Sequence, residues 1–249
     1  MLNLPTSLPS GYPDPDTGLL VGAEVDPAPG RPPELVTLHG REVDLVPLDR
    51  AAHGPALWEE LRDQSRHALW RYLPDGPFPD EAAFDAFLGD LTSRADVHFY
   101  AILDRASQRA LGWASLMRVE PRHRCLEVGY ILYTPALQRT RGATEAMWLL
   151  ARYVFEELGY RRYEWKCDAL NAPSRRAALR LGFTFEGVFR QHLIVKGRNR
   201  DTAWYSILDH EWPARRARLE RWLDQDNFDP DGQQLVALST LTPGTEPGS

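Results

Sequence analysis

The sequence contains few cysteines, few lysines and no long apolar run. Its two cysteines, Cys125 and Cys167, form neither a C-x-x-C pair nor a metal-ligand spacing, so we expect reduced thiols and no metal. No stretch approaches the ~20 apolar residues that a transmembrane helix needs. Residues 1–10 lack the basic start and the apolar core of a secretory signal. These absences predict a cytoplasmic protein without a membrane partner.

Acidic residues outnumber basic residues, 35 to 29. The net charge is −6, and only Lys166 and Lys196 among the 29 basic residues are lysines. An acidic chain repels the phosphate backbone, so we expect no nucleic-acid partner. Arginine binds phosphate with a planar fork, although codon usage is the simpler explanation for the excess of arginine over lysine.

Proline and glycine mark the two ends of the chain. Residues 1–33 are rich in both, and because proline breaks helices and central strands we predict an extended arm there. Residues 226–249 have a similar composition and are predicted to form a flexible tail. Residues 34–225 lie between them and have the size of one domain.

The middle of the chain alternates between strand and helix patterns. Apolar periodicity and turn residues predict the order β-β-α-α-β-β-β-α-β-α-β-β-α. The predicted strands are 35–38, 41–48, 97–103, 110–119, 125–133, 161–167, 183–195 and 202–208, and the predicted helices are 55–63, one beginning at residues 79–80, 144–158, 173–181 and 211–223.

One crossover fixes the class of fold. Strand 125–133, helix 144–158 and strand 161–167 form a β-α-β unit, whose two strands must be parallel. The other strands follow one another through short turns and should be antiparallel. We therefore predict an α/β (α+β) fold with a mixed, mostly antiparallel central sheet flanked by helices.

A basic loop precedes the crossover helix. It runs Gln138-Arg-Thr-Arg-Gly-Ala-Thr144, and the free N–H groups of a helix's first turn attract anions. Arg139 and Arg141 could add guanidinium contacts, Gly142 is small, and Thr144 lies within capping range. These residues predict a phosphate site, although an arginine-bearing, solvated helix start would show the same pattern.

Two ordered motifs resemble those of GNAT N-acetyltransferases. Gln138-x-x-Arg141-x-Ala143 is similar to the family's acetyl-CoA pyrophosphate loop, Gln/Arg-x-x-Gly-x-Gly/Ala. The signature of the RimJ/RimL-like branch has a similar counterpart downstream: Asn171-Ala-Pro-Ser174, then Leu181-Gly-Phe183 and Glu186-Gly187. The resemblance covers roughly residues 35–212. Arg141 departs from it, because the family has glycine where close approach of backbone to phosphate is needed.

The resemblance implies a binding mode for acetyl-CoA. Strands 125–133 and 161–167 should splay, so that the backbone of Ile131 and Leu132 pairs with the pantetheine arm and a backbone N–H there stabilises the oxyanion. The N–H groups of residues 139–144, including Thr140, would bind the pyrophosphate. Asn171 and Ser174 would lie near pantetheine and thiol; both residues are also preferred helix caps.

The resemblance implies direct acetyl transfer to a primary amine, either a small amine or a protein N-terminus. Glu127, Asn171 and Ser174 are the candidate catalytic residues. The acid is Ser174 by analogy, or bulk water, or absent. Glu127 could take the ammonium proton or be an ordinary surface carboxylate. The other candidate acids and bases are Cys167, Asp168, His192, Tyr130, Tyr133 and Tyr205.

Two further segments allow more than one interpretation. The turn after Val195, which carries Lys196, could be an exposed hairpin tip, an acceptor-side loop or a contact in a homodimer. Aromatic residues between the second and third strands could line an acceptor cleft or belong to the core; they include Trp58, Trp70, Tyr72, Phe78 and Phe84. An alternative to the enzyme is a CoA-binding module of the same fold with little or no activity.

Overall fold

Eight strands form one sheet in the computed structural model, which describes residues 11–241. A separate short hairpin, β1 (Tyr12–Pro13) and β2 (Leu20–Val21), lies in the N-terminal segment. The sheet consists of β3 (Leu38–His39), β4 (Val43–Pro47), β5 (His98–Asp104), β6 (Ala110–Glu120), β7 (Cys125–Tyr133), β8 (Arg162–Asp168), β9 (Thr184–Val195) and β10 (Arg198–Leu208).

The strand order is β3-β4-β5-β6-β7-β8-β10-β9. The β7–β8 pair is parallel and the other neighbouring pairs are antiparallel. The predicted fold class is therefore confirmed, and its cause is the helical crossover between β7 and β8, which brings the chain back to start β8 in the same direction.

Within the described part of the chain, five α-helices cover the sheet: α1 (Arg50–Leu61), α2 (Glu81–Ser93), α3 (Arg141–Arg152), α4 (Ala172–Leu181) and α5 (Trp212–Leu223). A π-helical turn, Tyr153–Glu157, continues α3. Short 3₁₀ turns lie at Gln64–Trp70, Pro121–His123, Asp209–Glu211, Gln225–Asn227 and Leu238–Thr240.

Two helices begin three or more residues before their predicted starts. The carboxylate of Asp49 accepts a hydrogen bond from the Ala52 N–H and starts α1 five residues before the expected Pro55. The Thr140 hydroxyl caps α3 in the same way, so that this helix includes the residues expected to form the loop. In both cases a polar capping residue, rather than the first apolar residue, sets the start of the helix.

The sheet separates two apolar cores. On one side, α3, α4 and α5 pack over β7, β8 and β10, and the core includes Val128, Leu150 and Tyr163. On the other side, α1 and α2 pack over β5 and β6 around Trp70 and Phe84. Both of these aromatic residues are only 1% exposed, which supports the core interpretation for them. Burial of one such side chain contributes roughly 1.5–3 kcal/mol.

A buried carboxylate joins α3 to the β3–β4 turn. Glu145 is 3% exposed, and its oxygens accept hydrogen bonds from the backbone N–H groups of Arg41 (2.8 Å), Glu42 (2.7 Å) and Val43 (3.0 Å). Gly40 leaves the space for it, since a Cβ there would lie 2.5 Å from the carboxylate. No local sequence pattern marks Glu145, because its backbone partners lie more than 100 positions away along the chain.

The N-terminal segment packs on the domain from residue 26 onward, where the Asp26 carbonyl accepts a hydrogen bond from the Arg124 guanidinium at 2.9 Å. The N–H of Gly30 donates to the Pro121 carbonyl (3.0 Å), and the N–H of Arg31 donates to the Leu158 carbonyl (2.9 Å). The carbonyl of Glu34 accepts a hydrogen bond from the Tyr100 hydroxyl at 2.8 Å. Residues 1–10 of the predicted arm lie outside the described part of the chain.

The C-terminal segment differs from the flexible tail that composition predicted. Residues 226–241 pack against α5: Leu238 is 1% exposed, the Trp222 ring lies edge-on to Phe228, and the Trp222 indole N–H donates to Gln234 at 2.8 Å. Apolar residues scattered among the turn residues anchor this segment. Residues 242–249 lie outside the described part of the chain.

Candidate active site

Strands β7 and β8 separate after four paired residues. Cys125–Val128 pairs with Arg162–Trp165, whereas the end of β8, from Lys166 to Asp168, pairs only with β10. The backbone of Gly129–Tyr133 therefore has a strand neighbour on its β6 side and a gap on its β8 side. This opening confirms the predicted splay and leaves main-chain groups with which an extended ligand can pair.

A β-bulge lies where the strands separate. Ser115 pairs with Gly129 and Trp113 pairs with Leu132, so β7 has one more residue than β6 over this interval. Tyr130 takes up the extra residue with a positive φ of 53°. The Ser115 hydroxyl donates to the Gly129 carbonyl at 2.9 Å. The bulge places the Tyr130 ring on the α1–α2 side of the sheet, edge-on to Phe99, with Ile131 in contact with the opposite core.

The loop before α3 leaves the N-terminus of that helix open to solvent beside this gap. The Thr140 hydroxyl accepts the Ala143 N–H at 3.1 Å, and the Gln138 side-chain amide donates to the Tyr133 carbonyl at 2.9 Å. Arg139 is exposed, with a positive φ of 63°, and its guanidinium makes no hydrogen bond or ion pair within residues 11–241. It is the loop's available cation.

The Arg141 guanidinium has partners within the protein instead. It lies 3.3 Å from the Glu42 carboxylate, donates to the Leu223 carbonyl at 2.7 Å and stacks 4.7 Å above the Phe228 ring. Two arginine forks facing a phosphate were expected from the sequence. Because the second fork is engaged in packing, only the backbone N–H of Arg141 remains available in this arrangement.

The small residues of the loop serve packing. Gly142 lies against β4, where a Cβ would come within 2.7 Å of a Val43 methyl. Thr144, expected in a capping position, is instead 3% exposed and accepts a hydrogen bond from the Arg180 guanidinium at 3.0 Å. Thr144 lies inside the helix because Thr140 already provides the cap.

Asn171 and Ser174 start α4 at the open end of β8. The Asn171 side-chain oxygen accepts the Ser174 N–H at 3.1 Å, which makes Asn171 the helix cap. The Ser174 hydroxyl oxygen accepts the Trp165 indole N–H at 3.0 Å, and its own proton is directed to the Cys167 thiol. Burial raises the pKa of the neighbouring Cys167 thiol, with a hydrogen bond from Ser174 opposing it, so this cysteine is a poor nucleophile.

Glu127 is not a surface carboxylate. It is 5% exposed, and its Oε2 atom lies 3.0 Å from Arg118 Nε and 3.2 Å from Lys166 Nζ. Lys166 also reaches Glu164 at 2.7 Å and lies 3.8 Å above the Trp204 ring. Burial raises the pKa of Glu127, while Lys166 and Arg118 oppose that rise. The structure thus places Glu127 in an ion-pair network on the face away from α3.

Most of the other candidate acids and bases are engaged by neighbours. Asp168 accepts the Leu170 N–H at 2.8 Å, and His192 Nδ1 lies 2.9 Å from the Thr202 hydroxyl. Tyr133 donates to the Ala143 carbonyl at 3.2 Å. Tyr205 accepts from Arg175 at 3.3 Å. These contacts are typical of structural roles.

The segment between α1 and α2 reaches across to the far side of the gap. The Tyr72 hydroxyl donates to the Leu170 carbonyl at 3.1 Å. The ammonium of Lys196, in the β9–β10 turn, donates to the carbonyls of Trp70 (2.7 Å) and Asp75 (2.8 Å). These bonds favour the acceptor-side interpretation of the turn. Asp75 was not predicted as a site residue, because it lies in a Pro-Asp-Gly-Pro stretch that indicates only a turn.

Two features of residues 11–241 bear on other classes of function. Among residues 11–241, no three or more His, Cys, Asp or Glu side chains are grouped so as to hold a metal ion. In that same part of the chain, none of the helices has the length and apolar character needed to cross a membrane.

The profile of the acetyltransferase (GNAT) domain matches residues 43–184, the region that contains the splayed strands and the loop. The chain belongs to the GNAT family. This acetyltransferase is similar to a GCN5-related N-acetyltransferase from Brucella melitensis, with 44% identity and a TM-score of 0.82 over 85% of this chain and 96% of that one.

The RimJ/RimL-like branch is also supported. YdaF of Bacillus subtilis, provisionally named as a ribosomal N-acetyltransferase, is 26% identical over 63% of this chain and 85% of its own length. The structure of RimL, an acetyltransferase of ribosomal L7/L12, in complex with coenzyme A has the same fold, with a TM-score of 0.59 and 20% identity over 71% of this chain and 99% of that one.

Proposed function

We propose that the acetyltransferase uses acetyl-CoA and transfers the acetyl group directly to a primary amine, either a small amine or a protein N-terminus. The observation that carries this proposal is the gap between β7 and β8, which opens at the Tyr130 bulge. The capped N-terminus of α3 lies beside β7, and the Asn171–Ser174 start of α4 follows the end of β8.

The loop 138–144 would bind the CoA pyrophosphate. Backbone N–H groups in the first turn of α3 supply donors and the positive end of the helix dipole, with Gln138, Thr140 and Ala143 shaping the loop. The exposed Arg139 guanidinium adds a charge-assisted contact. Gly142 and Thr144 hold the helix against β4 and α4.

The pantetheine arm would enter the gap as an added strand. It would pair with backbone groups of Ile131 and Leu132, and a backbone N–H at the bulge would stabilise the oxyanion. Asn171, whose side-chain NH₂ makes no hydrogen bond within residues 11–241, would bind the pantetheine amide.

Two side chains besides Asn171 would support the transfer. The amine attacks the thioester carbon, the C–N bond forms, the C–S bond breaks, and the CoA thiolate leaves. Ser174, whose proton is directed to the Cys167 thiol in the free protein, would turn it to that thiolate and protonate it. Glu127, fixed by Arg118 and Lys166, would favour the approach of a cationic acceptor; to act as a base it would have to take a proton on a carboxylate that already pairs with two cations.

A second candidate function is a CoA-binding module with little or no activity. Two observations favour it: Arg141 replaces the expected glycine, and α4 carries no tyrosine that could act as an acid. Thiol release measured over a panel of alkylamines, polyamines and N-terminal peptides separates the two. Saturable CoA binding without turnover of any amine would contradict the proposed acetyl transfer.

The loop assignment has its own test. Arg139→Ala should raise KM for acetyl-CoA about tenfold and change kcat little, because a phosphate contact far from the reacting carbon is equally strong in ground and transition states. Arg122→Ala, at another exposed arginine, is the control and should change neither constant. An unchanged KM in Arg139→Ala would contradict the assignment.

We further propose that the acetyltransferase is cytoplasmic and forms a homodimer through β9. This edge strand exposes Phe185, Val188, Phe189, Leu193 and Ile194, more apolar surface than an unprotected edge normally carries. Light scattering should give twice the monomer mass, and Ile194→Lys should return it to the monomer. A monomeric unsubstituted protein would contradict the dimer.

A further inference from the structure

We propose that Tyr130 and Asp75 together take the proton from the acceptor's ammonium group. This inference rests on the proposed function, since it assigns the base for that reaction. It starts from one contact: the Tyr130 hydroxyl donates to the Asp75 carboxylate, so that a residue of the β7 bulge and a residue of the α1–α2 segment form a pair.

Tyr130 stands at the point where the strands separate. It is the extra residue of the bulge, next to the backbone that would hold the thioester, and its ring lies on the sheet face opposite α3. The ring is half-buried. An amine that approaches the thioester from this face therefore passes the Tyr130 hydroxyl, whose oxygen lone pairs can accept a hydrogen bond.

Asp75 is fixed in place but not neutralised. Gly76, with a φ of 63°, packs against the Trp70 ring, where a Cβ would approach within 2.5 Å. Lys196 binds the Asp75 carbonyl rather than its carboxylate. Within residues 11–241, no arginine, lysine or histidine lies within ion-pair distance of the Asp75 carboxylate. The Tyr130 hydroxyl is therefore the principal partner of a half-buried negative charge.

The charged groups around the pair have other partners. Arg94 and Asp90, at the end of α2, bind each other at 2.6 Å, and Arg94 lies 5.6 Å from the centre of the Tyr130 ring. Lys196 makes its bonds to two carbonyls. Burial raises the pKa of Asp75, while Arg94 and Lys196 oppose the rise and Asp90 adds to it. A raised pKa makes this carboxylate a better proton acceptor at neutral pH.

The comparison with Glu127 favours Asp75 as the base. Both carboxylates face away from α3, but Arg118 and Lys166 share one oxygen of Glu127, and protonation would weaken both ion pairs. Protonation of Asp75 breaks no ion pair, and its hydrogen bond to Tyr130 is retained in either state.

Each proton that leaves the nitrogen has an acceptor. The ammonium N–H proton moves to the Tyr130 oxygen as the Tyr130 proton moves to Asp75, leaving a neutral amine, a neutral tyrosine and a protonated carboxyl. The amine lone pair then forms the C–N bond and the C–S bond breaks. The nitrogen releases its second proton through water to Ser174, which has passed its own proton to the CoA thiolate. Asp75 afterwards loses its proton to water.

The test separates proton removal from shape. Tyr130→Phe and Asp75→Asn keep the volume of each side chain and remove the relay. With propylamine, which is an ammonium ion at neutral pH, we expect kcat/KM to fall about 10²-fold. With O-ethylhydroxylamine, which has the same length but a neutral nitrogen, we expect nearly the activity of the unsubstituted enzyme.

Controls distinguish failure of the Tyr130–Asp75 relay from failure of the proposed function. Asp85→Asn, at an exposed aspartate of α2, should leave both acceptors unaffected, and CoA affinity by calorimetry should be unchanged in every variant. Equal losses with both acceptors, or no loss with either, would overturn the relay and leave the proposed function standing. CoA binding without turnover of any amine by the unsubstituted protein would overturn the proposed function and the relay with it.

Discussion

The two faces of the sheet bury their charges in different ways. On the α3 face, Glu145 is bound by three backbone N–H groups. On the opposite face, the carboxylates of Glu127 and Glu164 both pair with the Lys166 ammonium. A backbone partner cannot move or titrate, so the first arrangement can only be structural. Side-chain partners can exchange or gain protons, so the second face is the one on which a charged acceptor can be handled.

The largest effect is expected on the α3 face. Glu145→Ala leaves three N–H groups of the β3–β4 turn without their acceptor, which should lower the free energy of unfolding by about 4 kcal/mol. Urea denaturation measures this. Glu157→Ala, at an exposed glutamate after α3, should change it little. A loss of similar size in both variants would remove the distinction between the faces.

Lys166→Met should have a smaller effect, and one that depends on pH. Glu127 keeps Arg118 and Glu164 keeps Arg162, so we expect a loss of about 2 kcal/mol at neutral pH, less than for a pair left wholly uncompensated. Because burial raises the pKa of Glu127, the carboxylate takes up a proton early as pH falls, and the cost should shrink. A cost that stays constant from neutral to acid pH would show that Lys166 acts by packing alone.

Glu186→Gln should have the smallest effect. Glu186 pairs with Arg162 at 2.5 Å and accepts from Ser206 at 2.7 Å at a partly exposed position, so the loss should be about 0.5 kcal/mol. The Arg162 hydrogen bond, with help from Ser206, lowers the pKa of Glu186. Its contribution is therefore present above the ordinary glutamate pKa and is lost as pH falls through the lowered value. The unfolding midpoint should differ from that of the unsubstituted protein at neutral pH but not at acid pH.

The fold was largely readable from the sequence, because periodicity and turn residues report local structure. The β7–β8 crossover and its parallel pairing followed from chain order alone. The start of α3 did not, because Thr140 and Thr144 are both acceptable caps and only the packing of Gly142 on β4 decides between them.

The site was readable only in part. The loop and the Asn171–Ser174 start of α4 follow from motifs that are contiguous in sequence. The Tyr130–Asp75 pair joins residues 55 positions apart, and the surroundings of Glu127 depend on three strands. No local pattern indicates which arginine faces solvent, as Arg139 does, and which is used in packing, as Arg141 is.

The position of Arg141 links two features that look independent along the chain. Arg141 stands where the family motif has glycine. Its guanidinium is held by the Leu223 carbonyl at the end of α5 and by the Phe228 ring of the segment that follows. Without that segment the arginine would keep Glu42 and the Leu223 carbonyl but lose the ring that covers its guanidinium, and the segment without the arginine would lose the same contact. Relatives should therefore inherit the two together: those that end with α5 should carry glycine at this position.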